Sequence, residues 1–190
     1  MTKEQQKYLL QLSRRAIEKY LTENAILFID EDDLDKELLK KRATFVTLTI
    51  NNELRGCMGE MEATKPLYRS VIDNSLASAF LDPRFEPLSP NELEKVKIEI
   101  SILSPLKNID LNKFKDLTEL LDYLKQKKPG ILLKKGSYQA TFLPQVWEEL
   151  PEPQEFLTHL SYKAGLNPNE WQDFKKLELS EYEVEKFKEN

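Results

Sequence analysis

The sequence predicts an α+β fold, an antiparallel sheet packed with helices, and three observations predict it. Strand-like segments come in pairs around tight turns, at Arg42 to Met58 and again at Ile131 to Leu143, which is the pattern of hairpins. Helical periods of varied length separate those pairs, instead of alternating with single strands as a doubly wound sheet requires. Val96, Ile98, Ile100 and Ile102 alternate with Lys97, Glu99 and Ser101, so this strand has one covered face and one open face.

The elements follow in order. Thr2 and Gln5 stand at capping-box spacing, and Leu9, Leu12, Ala16 and Tyr20 then recur at helical steps. Asp30-Glu31-Asp32-Asp33 lacks the alternating ligands and central glycine of a calcium loop, and reads as a solvated connection. Arg42 to Ile50 is rich in β-branched residues. Asn51-Asn52 turns it back, since asparagine tolerates positive φ, and Glu53 to Met58 returns. From Pro66, Tyr68, Ile72, Leu76 and Phe80 form an apolar row on a central helix that stops before Pro83. Ser89-Pro90-Asn91-Glu92 caps a short helix ahead of the alternating strand. Leu117 to Leu124 is helical. The second hairpin turns around Lys134-Lys135-Gly136-Ser137, two helices follow Pro144, and the tail from Leu177 to Phe187 reads as one final strand.

Composition narrows the function classes. The 190 residues suit one domain, or one domain with a smaller lobe, and 40% hydrophobic with 32% charged residues is globular. A net charge of -5 argues against a general nucleic-acid surface. The single cysteine, Cys57, excludes an internal disulfide and a Cys-rich zinc or iron–sulfur site. No signal-like or membrane-spanning run is present, so a reducing cytoplasm is the expected address.

The chemistry concentrates at Leu54-Arg55-Gly56-Cys57-Met58-Gly59, where two of the five glycines bracket the only thiol. Glycine in a strand marks a bulge, a bend, or close approach of another backbone or a ligand. In a regular strand Arg55 and Cys57 share a face, and a guanidinium there favours thiolate or offers a fork to a carboxylate or phosphate. The competing reading makes Cys57 a small buried hydrophobe. No conventional nucleophile–base pair can be read for the thiol, and although a glutamate could serve as base, nothing singles one out. The only histidine, His159, falls in a polar helical column, and Glu60 and Glu62 are merely near in sequence. Asp82-Pro83-Arg84-Phe85-Glu86-Pro87-Leu88 is a stiff corner or the wall of a pocket, with Asp82 and Arg84 placed to pair. Lys134-Lys135 reads as a solvated turn.

The first segment is similar to the Leu-Arg-Gly-Cys-Ile-Gly signature of the AMMECR domain family, with Met58 in place of Ile. Three further blocks resemble that family in order: Ala79 to Leu88, Phe142 to Val146, and Phe156-Leu157 on to Lys163-Ala164-Gly165-Leu166. The resemblance implies a larger lobe made from both chain ends and a smaller inserted lobe, each with antiparallel strands. It also implies that the Arg-Gly-Cys segment is the active or binding site, without bringing a reaction. Relatives occur beside Memo-like proteins and radical-SAM enzymes, which implies a partner of that kind in a shared modification or redox pathway. The cluster would be the partner's, and no cofactor of the chain's own is implied. The expected site is thus Cys57 and Arg55, with Gly56, Gly59, Asp82 and Arg84 around a ligand. The alternative is a non-catalytic interaction or regulatory module in which the segment is structural.

Overall fold

The computed structural model describes residues 1–189. Two compact units divide the chain: residues 1–105 with the chain from 185 onward, and the inserted residues 106–184. The larger lobe from both chain ends and the smaller inserted lobe are therefore as expected.

In the first unit, α1 (Lys3–Glu23) starts at the capping box, with Thr2 and Gln5 each bonded to the other's backbone. It buries Leu9, Leu12, Ala16 and Ile17. Each fully buried Leu or Ile adds about 1.5–3 kcal/mol, so this face holds the helix in place. β1 (Thr44–Ile50) and β2 (Glu53–Gly59) form the first hairpin. Asn51 and Asn52 both take positive φ, 53° and 67°, as a tight two-residue turn demands. α2 (Leu67–Phe80) follows, then β3 (Lys97–Leu103) and, from the far end of the chain, β8 (Val184–Lys188). The sheet order is β2-β1-β3-β8, so β2 is an edge strand. Val46, Leu48, Ile98 and Ile100 line its covered face, against α1 and α2.

α2 has the expected broad apolar face and buries polar residues beside it. Ser70, Asn74 and Ser78, at i, i+4 and i+8, are buried. Asn74 Nδ2 donates to Thr44 O (3.0 Å) and Oγ1 (2.9 Å), and Thr44 Oγ1 lies 2.8 Å from Ser70 Oγ. Ser70 Oγ in turn donates to Glu60 Oε1 at 2.9 Å. Ser78 Oγ accepts from Met58 N–H (2.9 Å) and donates to Val46 O (2.7 Å), spanning the β1–β2 pair. A buried polar row of this kind is tolerated because its partners are supplied.

The second unit contains β4 (Lys107–Asn108), α3 (Leu117–Lys127), β5 (Gly130–Lys135), β6 (Tyr138–Phe142), α4 (Val146–Glu149), α5 (Pro153–Lys163) and β7 (Glu178–Tyr182). Its sheet order is β4-β7-β5-β6 with antiparallel pairing throughout. Trp147 stacks on Phe156 within the helix-covered core, ring centroids 3.8 Å apart.

Two sequence expectations need correction. Lys134 and Lys135 are not turn residues: they pair with Gln139 and Tyr138 in the ladder, and Lys135 bonds Glu170. The turn is Gly136-Ser137, with Gly136 at φ 59°. The tail is two strands, not one. β7 belongs to the sheet of the second unit and β8 to that of the first, with Glu183 between them.

Candidate functional site

The register of the first hairpin decides where the thiol points. From the turn, Ile50 meets Glu53 and Thr49 meets Leu54, and a regular ladder would then set Cys57 opposite the fully buried Val46. Instead the register shifts between Leu48 and Thr49, so that Leu48 meets Gly56 and Thr47 meets Cys57. Arg55 is the extra residue of a bulge. Because side chains alternate with a period of two, this one-residue slip moves Cys57 from the core face to the open face.

The strand is therefore not regular, and Arg55 does not take the place beside Cys57 on that face. Leu54, which is exposed, takes it. Arg55 reaches the Pro90–Glu92 3-10 turn instead. Its Nε donates to Glu92 Oε1 at 2.7 Å, and its Nη2 donates to Glu92 Oε2 at 3.2 Å and to Glu86 O at 2.9 Å. Bonds from Arg55 first, then from the Ser89 N–H, hold the Glu92 carboxyl down at about 2.

The Cys57 thiol is half-buried, with Sγ 3.2 Å from Thr47 Oγ1. Thr47 is also the partner of Glu99 on β3, and Glu99 pairs with Lys186 of β8 at 2.9 Å, which completes a row across the open face. The Cys57 backbone is held from the other side. Its N–H donates to Asp82 Oδ2 (2.8 Å), and its carbonyl accepts from Arg84 Nη2 (3.3 Å). Arg84 also grips Asp82 with Nε at 2.9 Å and Nη2 at 2.7 Å. The Asp82 side chain is only 2% exposed, and the bonds from Arg84 and the Cys57 N–H hold its carboxyl far below the usual range. Phe85 lies between the guanidiniums, its ring centroid 5.9 Å from Arg55 Cζ and 5.6 Å from Arg84 Cζ.

Both glycines are explained by packing. A Cβ on Gly56 would meet Ser78 O at 2.1 Å, so its bare Cα admits the backbone of α2. A Cβ on Gly59 would meet the Phe45 ring at 2.3 Å and Thr44 O at 2.5 Å. Asp82 and Arg84 do converge on Cys57. His159 is exposed on α5 of the second unit, as its polar column indicated. Among the described residues no group of three His, Cys, Asp or Glu side chains is placed to hold a metal.

Sequence reasoning missed Thr47, Glu92 and the Ser70–Asn74–Ser78 row as parts of this construction. The i, i+4, i+8 spacing of that row was a usable signal, and Glu92 had already been singled out by its capping box. Chemically, each guanidinium already has a carboxylate partner. The open donor is the Nη1 edge of Arg84, whose side chain is 54% exposed and whose Nη1 has no hydrogen-bond partner among the described residues.

Comparison with known proteins fits this architecture. The model of the AMMECR1 family matches residues 10–187. The protein MK0488 of Methanopyrus kandleri is 36% identical over 179 residues, covering 90% of this chain and 82% of its own length. NEQ441 of Nanoarchaeum equitans is 38% identical over 161 residues, covering 84% and 87%. The crystal structure of the uncharacterized protein PH0010 from Pyrococcus horikoshii superposes with a TM-score of 0.87 at 33% identity, over 100% of this chain and 94% of that one. No helix of the described residues is long and apolar enough to cross a membrane. With nearly the whole chain matched in sequence and in fold, this protein belongs to the AMMECR1 family.

Proposed function

We propose that this chain is a recognition component of a modification or redox pathway, acting with a radical-SAM or Memo-like partner through the face that carries Cys57. One observation carries the reading: a bulge turns the chain's single thiol outward, next to a guanidinium edge and an aromatic ring contributed by Arg84 and Phe85 of the corner segment. In this reading Cys57 contacts or reacts with the ligand. Arg84 presents its open donor edge, and Asp82 holds Arg84 and the Cys57 backbone in register. Arg55 positions Phe85, and Gly56 and Gly59 allow the strand to sit where it does. The partner rests on the family resemblance alone.

A second reading is a non-catalytic docking or regulatory module. It draws on the structural use already made of Gly56, Gly59, Asp82 and Arg55, which leaves the thiol as a bystander.

Alkylation of the native protein, read by intact mass, tests the first reading. Because there is one cysteine, each mass increment reports Cys57. Native labelling at a rate comparable to a free thiol supports a ligand-contacting group, with loss of partner capture by Cys57→Ala as the companion result. Labelling only after denaturation, or a partner complex indifferent to Cys57→Ala, rejects it in favour of the docking module.

A further inference from the structure

A groove of about 470 Å³ runs between α1 and β8 in the first unit, away from the residues discussed above. Its walls differ in character. Leu10 and Phe187, both partly buried against the core, supply an apolar floor. Lys3 and Lys7, one helical turn apart on α1, and Lys188 on β8 supply the rim, and all three are exposed. Among the described residues none of these lysines has a carboxylate within ion-pair distance. Arg14, at one end of the groove, is already neutralised by Glu189 and also bonded to Leu93 O and Val96 O.

That combination is selective. In a chain of net charge -5, about half of the cations on the first unit have acidic partners, Lys19, Lys40, Lys65 and Lys186 among them. Three unpaired ammonium groups around an apolar trough repel one another unless an anion is present. The volume lies within the range of small-ligand sites, and the apolar floor excludes a small hydrophilic anion as the preferred occupant.

We propose that this groove binds a small amphipathic anion, an acyl or aryl group bearing a carboxylate or phosphate. Its apolar body lies on Leu10 and Phe187 and its head lies among Lys3, Lys7 and Lys188. The same chemistry is offered by a free amphiphile and by an anionic lipid surface. The concave walls favour the free molecule.

Isothermal titration of the full chain with decanoate, octyl phosphate and the neutral decanol separates these cases. Decanoate and octyl phosphate bind and decanol does not. Lys7→Gln with Lys188→Gln weakens decanoate by about 10-fold or more, the scale of a lost charge-assisted contact. Lys115→Gln, an exposed lysine of the other unit, leaves it unchanged. Circular dichroism confirms that each variant is folded. Three results overturn the proposal: no decanoate binding below millimolar concentration, equal binding of decanol, or binding only to phosphatidylglycerol vesicles with none to the monomeric amphiphiles.

Discussion

Gly56→Ala is the sharpest test of how the hairpin is held. The new methyl carbon would stand 2.1 Å from Ser78 O and 3.1 Å from Ser78 C, both backbone atoms that cannot rotate aside. Ordinary van der Waals contact begins at 3.4 Å, so α2 must retreat from β2 by about 1.3 Å along that line. Such a retreat pulls on the Ser78 hydroxyl, which sits 2.9 Å from Met58 N and 2.7 Å from Val46 O. Overpacking costs about 1–3 kcal/mol, and a strained or lost buried hydrogen bond adds about 1–3 more. A total of about 2–6 kcal/mol is a large part of a typical domain's stability, and at about 2–4 °C per kcal/mol it lowers Tm by roughly 4–24 °C. Thermal unfolding followed by far-UV circular dichroism measures it, with Cys57→Ala as the paired variant that leaves the helix contact intact. A Gly56→Ala protein melting within 2 °C of the parent would refute the packing account and return Gly56 to the list of ligand-admitting positions.

Two further predictions concern charge. Asp82 and Glu92 both have folded pKa values depressed below their unfolded ones, so each contributes stability that is complete above the unfolded value of about 4 and is lost as pH falls through the folded one. Urea unfolding should therefore weaken from about pH 5 to pH 2, and Asp82→Asn should flatten that acid limb; an unchanged limb in the variant contradicts the assignment. Arg14→Met removes bonds to Leu93 O, Val96 O and both Glu189 oxygens, with an expected cost of about 2–4 kcal/mol. Hydrogen exchange should show β8 amides opening before those of β1, and uniform exchange across the sheet would contradict it.

The parts of the fold set by local chemistry could be read from the chain. The Asn51-Asn52 turn needed only the tolerance of asparagine for positive φ, and the isoleucine alternation of β3 identified its covered face directly. Features set by distant partners could not be read this way. The slip at Arg55 depends on the Ser78 carbonyl behind Gly56 and on Glu92, which lies 37 positions along the chain. A regular hairpin would have buried Cys57, so the most consequential fact about the site is absent from its own six residues. The division of the tail at Glu183 is similar: its loose alternation suits strands in either sheet, and the choice rests on pairing with β5 on one side and β3 on the other.

The Asp82–Arg84 pair has a consequence for how the molecule behaves in company. An outermost strand presents unclaimed amide and carbonyl groups, a template on which another chain can polymerise. At Cys57 both of those groups are already occupied, the amide by Asp82 and the carbonyl by Arg84. The corner segment thus works as a guard rail on β2, keeping concentrated protein from zipping edge to edge where its only thiol is on display.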